Sequence, residues 1–149
     1  MKAVSSALVV DAAILVSALL GRQTGAMTAA VRACRLVTTD RAVMEVSRRV
    51  ELGLKRPELL PLLDAILGEM AVVPLSTLGE DVARAEVVLR DSVPSRNGSI
   101  KDAHILALAW AVDGDIWTHD RDFAGAGVAN WSTANLMRAL ALMSNDRTV

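Results

Sequence analysis

Hydrophobic positions along the chain fall into two kinds of run. The short runs, "SALVV" (Ser6–Val10), "LVTT", "AVVPL", "DIWT" and "VANWS", are apolar and rich in β-branched residues. That is the pattern of strands buried on both faces. Between them lie stretches with helical spacing: Ala13–Leu20, Ala26–Arg35, "RAVMEVSRRVEL", "ELLPLLDAILGEM", Glu80–Arg90, "IKDAHILALAWAV" and "TANLMRALALM". In the third of these, Ala42, Val43, Val46 and Val50 form an apolar stripe, and Asp40 is placed to cap its start. Pro61 sits where a helix's first turn tolerates proline, Asp113-Gly114 stops the "HILALAWAV" helix, and "SVPSRNGS" is a loop. Strands alternating with helices predict a parallel sheet of four to five strands between helical layers, a three-layer α/β/α fold.

No repeat or long linker divides the 149 residues, so one domain is expected over residues 1–143. The polar residues 144–149 are expected to be a disordered tail. An apolar fraction of 52% with only 3% aromatics predicts a core of Ala, Val and Leu. The net charge of −1 provides no global field for a polyanion, so any such contact must be local. A single cysteine, Cys34, allows no internal disulfide and reads as a small core residue. The apolar start "ALVVDAAILVSALL" is too short to span a bilayer and carries Asp11 at its middle, so no membrane role and a cytoplasmic setting are expected.

In a parallel α/β sheet, ligands bind outside the carboxyl ends of the strands. Asp11 directly follows "ALVV", and "THDRD" places Thr118, His119, Asp120 and Asp122 directly after "IW". Each acid also has a plain structural explanation. Asp11 can cap a helix, and Asp120 and Asp122 can serve a turn. Asp102 fits a capping box begun by Ser99. Glu45 can pair with Arg41, Arg48 or Arg49 on its own helix. His104 and His119 have no zinc-ligand spacing, no G-x-S-x-G elbow supports a serine triad, and "GRQTG" lacks the ending of a phosphate loop. "DGDIW" sets its acids before the strand, unlike an aspartyl-phosphate nucleophile.

If Asp11, Glu45, Asp102 and Asp120 converge, their repulsion raises at least one pKa in the empty site. A divalent cation reverses that penalty. All-oxygen donors favour Mg²⁺ or Mn²⁺ over zinc or copper, and such a site suits hydrolysis of a phosphodiester by an activated water.

With the acids in this order, the chain resembles the PIN-domain family of metal-dependent ribonucleases, and most of all the small VapC toxins of toxin–antitoxin pairs. The resemblance is carried by "LVVDAAILVSAL", by Glu45 in "AVMEVSRRV", by "KDAHILALA", "IWTHDRDF" and "VANWSTANLM". It implies a PIN-like parallel sheet, Mg²⁺ or Mn²⁺ held by Asp11, Glu45, Asp102 and Asp120, and cleavage of RNA. Asp122 then matches an auxiliary acid and Thr118 the hydroxyl residue at the strand end. It also implies a protein antitoxin and a homodimer. Many relatives carry Ser, Thr or Asn two residues after the first acid, where this chain has Ala13.

RNA contact is expected from Arg48, Arg49, Arg96 and Arg121. Trp110, Trp117 and Trp131 lie in apolar surroundings and read as core. Two other readings compete with the nuclease. A non-catalytic PIN-like module binding RNA or protein is favoured only by Ala13, against an intact set of acids. A phosphoacceptor receiver would need an acid pair before the first helix and a lysine after the fifth strand, and has neither.

Overall fold

The computed structural model describes residues 3–22, 24–90, 100–119, 123 and 126–147. Among them five strands form one wholly parallel sheet: β1 (Ala7–Val10), β2 (Arg35–Thr39), β3 (Ala71–Val73), β4 (Asp115–Trp117) and β5 (Asn130–Trp131). Their spatial order is β3-β2-β1-β4-β5. Successive strands add to one side of β1 and then, from β4, to the other. The topological switch point therefore lies between β1 and β4, at whose carboxyl ends a crevice is expected.

The helices are α1 (Ala12–Leu19), α2 (Thr24–Ala33), α3 (Asp40–Arg48), α4 (Leu60–Leu67), α5 (Gly79–Arg90), α6 (Ala103–Val112) and α7 (Thr133–Arg147). Side chains alternating across the central strands sort them into two layers. Leu8, Val10, Leu36 and Trp117 point to a core shared with α1, α2, α4, α7 and Val46 of α3. Val9, Val37 and Ile116 point to the other core, made by α5 and α6 together with Ala42, Leu78 and Phe123. Leu8, Val9 and Val10 are fully buried. Each such side chain contributes about 1.5–3 kcal/mol relative to exposure, so β1 anchors both layers and fixes the chain direction entering α1.

Several boundaries differ from expectation for identifiable reasons. The N-cap of α3 is Thr39, whose hydroxyl accepts the Ala42 N–H at 3.0 Å. Asp40 is already helical, and its Oδ1 accepts the Leu75 N–H at 2.9 Å. Arg35 opens β2 instead of closing α2. The α3 stripe buries Ala42, Val46 and Val50, while Val43 is only half-buried. Beyond Arg48 the helix loosens into a π-helical turn over Arg49–Gly53. α7 continues through Arg147, four residues into the segment expected as a tail. The loop "SVPSRNGS", with Ser99 of the expected capping box, lies outside the described residues.

Trp117 is fully buried, and its indole N–H donates to the Thr133 hydroxyl at 3.0 Å. Trp131 is half-buried and donates to Asp115 Oδ2, which also accepts the Ser5 N–H, both at 2.9 Å. Asp115 is thereby spent on joining the chain's beginning to β5. Trp110 lies beneath Arg84, whose guanidinium carbon is 4.5 Å from the ring centroid. No helix among the described residues is long and apolar enough to cross a membrane.

Candidate active site

The end of β1 delivers Asp11 into the switch-point crevice. Its backbone N–H reaches the Trp117 carbonyl at 3.4 Å, which ties it to the end of β4. Its Oδ1 accepts the Ile14 N–H at 3.0 Å, so the side chain caps α1 and is held by that cap. The residue is almost wholly buried, and its cap to α1 leaves it lining the cleft.

α3 follows β2 and carries Glu45, and Arg49 opens the π-helical turn four residues on, the two lining the same cleft. Asp102 stands at the start of α6, at the N-cap position but with no capping hydrogen bond from its side chain. The capping box expected of it rests on Ser99, which lies outside the described residues. Three elements distant in sequence therefore bring Asp11, Glu45 and Asp102 to one cleft of about 180 Å³, lined also by Ala12, Ala13, Arg49, His104 and Ile105. Ala13 lines the wall with a methyl group.

Of the other expected site residues, Asp120, Asp122, Arg96 and Arg121 lie outside the described residues. Thr118 follows β4 and is buried, with its N–H bonded to the Trp131 carbonyl at 3.0 Å. Arg48 lies at the end of α3, exposed, and does not line the cleft; Arg49 does. Phe123 is buried in the α5–α6 core.

The Glu45 carboxyl is about half exposed, and its Oε1 lies 3.7 Å from Arg41 Nε and 3.7 Å from His104 Nε2. Its pKa is raised above the ordinary 4.5, first by burial and then by the charge of Asp11, while Arg41 and Lys101 oppose the rise. Two acids thus feel one another across the cleft. His104 is almost fully buried behind Glu45, and burial, with help from Arg41, pushes its pKa down from 6.5 to about 4. It is neutral near pH 7, so the contact with Glu45 is not an ion pair.

Sequence reasoning missed two residues at this site. His104 was weighed only as a zinc ligand, and Thr39 only as a strand residue. The structure joins them, with Thr39 Oγ1 2.7 Å from His104 Nδ1. The available signal was a histidine inside the otherwise apolar run "AHILALAW", where an imidazole needs a partner.

Among the described residues, no group of three His, Cys, Asp or Glu side chains is close enough to hold a metal ion by itself. The donor chemistry nevertheless suits a hard divalent cation. Every acid in the cleft offers oxygen, the Glu45 carboxyl pKa is held up by burial and by the charge of Asp11, and Mg²⁺ keeps several of its waters.

The PIN domain pattern matches residues 9–141, and the chain belongs to the PIN domain family, whose members are nucleases. None of the curated protein sequences matches the chain. Its fold is similar to that of several solved structures, of which three follow. The VapBC2 complex from Rickettsia felis, bound to a DNA fragment from its promoter, aligns with a TM-score of 0.66 at 14% identity, over 85% of this chain and 98% of the other. FitAcB from Neisseria gonorrhoeae gives 0.65 at 20% identity, over 85% and 98%. A toxin–antitoxin complex from Klebsiella pneumoniae gives 0.60 at 22%, over 85% and 97%. The three-layer fold with its parallel sheet is that of the PIN structures.

Proposed function

We propose that the protein is a Mg²⁺- or Mn²⁺-dependent endoribonuclease of one domain over residues 1–143, and the toxin of a toxin–antitoxin pair acting in the cytoplasm. The observation that carries the reading is the meeting of Asp11, Glu45 and Asp102, from β1, α3 and α6, in one cleft of a PIN-family chain. Asp11, Glu45 and Asp102 would hold the cation, with Asp120 as the fourth acid and Asp122 and Thr118 assisting. The cation supplies Lewis-acid polarisation of the phosphate and activation of water.

The chain's own residues do the rest. Asp11 is oriented by its cap to α1 and keeps a fixed carboxylate at the cleft floor. Glu45, with its raised pKa, gains most from a neighbouring positive charge. Arg49, at the cleft edge, is placed to take a phosphate oxygen of the RNA, and bidentate contact suits arginine. Arg48, Arg96 and Arg121 would extend that contact along the backbone. The aromatic side chains are committed to packing, so RNA would be held through phosphates more than through stacked bases.

Support for an antitoxin partner comes from the fold's likeness to VapBC2 and FitAcB, and a homodimer is part of the same reading. The test is incubation of purified protein with mixed RNA in Mg²⁺, in Mn²⁺ and in chelator, beside Asp11→Asn and Asp120→Asn. Cleavage that needs metal and is lost in both variants is expected. Cleavage surviving either substitution, or persisting in chelator, would overturn the assignment.

A further inference from the structure

Behind the acid cleft, three side chains from three elements stand in line: Thr39 at the end of β2, His104 in the first turn of α6 and Glu45 in α3. The first two are buried; Glu45 and His104 line the cleft, and Thr39 stands behind them. Thr39 Oγ1 already accepts the Ala42 N–H, 3.0 Å away, which fixes its position as the cap of α3. Its one proton needs an acceptor, and His104 Nδ1 lies 2.7 Å away. Among the described residues no other bond involving this hydroxyl is found. The hydroxyl therefore donates to Nδ1. A neutral imidazole whose Nδ1 accepts must carry its proton on Nε2. That nitrogen faces Glu45 Oε1 at 3.7 Å, a close approach but longer than a hydrogen bond.

The same oxygen is equally far from Arg41 Nε, on the solvent side of α3. Glu45 thus stands between two donors, one leading outward and one leading into the site. Resting on the proposed metal-dependent function, we propose that Thr39 and His104 form a positioning relay: Thr39 fixes the Nε2–H tautomer of His104, and that N–H takes Oε1 of Glu45 and turns the carboxylate toward the cation site. Neither residue touches substrate or metal. The relay couples the N-cap of α3 to the orientation of an acid in the same helix. An outer partner of this kind is usually applied to a metal-binding histidine; here the histidine is itself the outer partner of a carboxylate.

Two measurements test the relay separately from the nuclease reading. Nitrogen-15 NMR of the histidine side chains in metal-free protein at neutral pH reads the tautomer directly. His104 in the Nε2–H form is expected, passing to a tautomer mixture in Thr39→Val and retained in Thr39→Ser. A Nδ1–H form in the unmodified protein would overturn the relay. Mn²⁺ titration of folded protein then compares His104→Gln, which keeps an N–H near the Nε2 position, with His104→Leu, which has none. Thermal melts in chelator would confirm that both variants fold. Loss of about tenfold or more in Mn²⁺ affinity is expected for His104→Leu, within the range for outer partners of metal ligands, with most of it restored in His104→Gln. Equal affinity of His104→Leu and unmodified protein would overturn the relay. Failure of the unmodified protein to bind Mn²⁺ would instead overturn the metal reading, and the tautomer measurement would still decide whether the Thr39–His104 arrangement exists.

Discussion

Asp11 is asked to do two jobs with one conformation, and a pair of substitutions separates them. Asp11→Asn keeps an oxygen where Oδ1 accepts the Ile14 N–H at 3.0 Å; Asp11→Ala removes it. Losing such a cap costs about 1 kcal/mol, with a range of about 0.5–2. In a domain of this size that lowers Tm by about 2–4 °C. Asp11→Asn gives up a charge at the N-terminus of α1, worth about 0.3–1 kcal/mol, but relieves the repulsion that raises the Glu45 pKa. In chelator, therefore, Asp11→Asn should melt within about a degree of the unmodified protein and above Asp11→Ala. In Mn²⁺ at a hundred times its Kd, linkage stabilises the unmodified protein by about 2.7 kcal/mol. Neither variant should show that shift, and neither should cleave RNA. Differential scanning fluorimetry with and without Mn²⁺, beside the cleavage assay, reads all four quantities. The reasoning is refuted if Asp11→Asn retains the Mn²⁺ shift, or if in chelator it falls as far as Asp11→Ala.

Three further outcomes are expected. Because the folded-state pKa of His104 is depressed from 6.5 to about 4, its contribution is present above pH 6.5 and is lost as pH falls toward 4, a loss of about 3 kcal/mol; urea melts across that window should show a shallower acid loss in His104→Leu than in the unmodified protein. Glu45 shifts the other way, so metal-free protein should lose stability as pH rises from 4.5 through its raised value; Glu45→Gln should remove that slope, and saturating Mn²⁺ should suppress it. Gly114 leaves no room for a side chain, since an added Cβ would lie 2.7 Å from the Ala7 carbonyl oxygen; Gly114→Ala should lower stability by about 1–3 kcal/mol in denaturant melts, whereas Gly79→Ala, with open space around it, should not.

The layers were legible because β1 reads as an unbroken apolar run and β2 as a nearly unbroken one, and because a strand buried on both faces must be sandwiched between helices. The acids at strand ends followed from the same topology. Less legible were matters decided by competition between neighbours. Asp40 and Thr39 are both good caps, and the choice fell to Thr39 because Asp40 is drawn to the Leu75 N–H, 35 residues onward. Asp102 reads as the fourth position of a capping box begun by Ser99, whereas in the structure it stands itself at the N-cap position of α6. The Thr39–His104 contact spans 65 residues, and the apolar run around His104 signals that the imidazole needs a partner but not which residue supplies it. The π-helical turn after Arg48 is silent in "RRVELG".

One asymmetry among the acids has a physical origin in where the chain places them. Asp11 precedes α1 and Asp102 precedes α6, each at the positive end of a helix dipole, where a carboxylate is favoured by about 0.3–1 kcal/mol. Glu45 lies inside α3, five residues beyond its start, and no unpaired helix N–H faces it. Its compensation must come from side chains, and the two cations acting on it, Arg41 and Lys101, are both exposed and screened by water. Burial first, and then the charge of Asp11, raise the Glu45 pKa despite both cations. An acid left undercompensated in the empty protein is the one with most to gain when a divalent ion arrives. It is also the one whose carboxylate most needs a fixed direction, and the buried Thr39–His104 pair stands directly behind it.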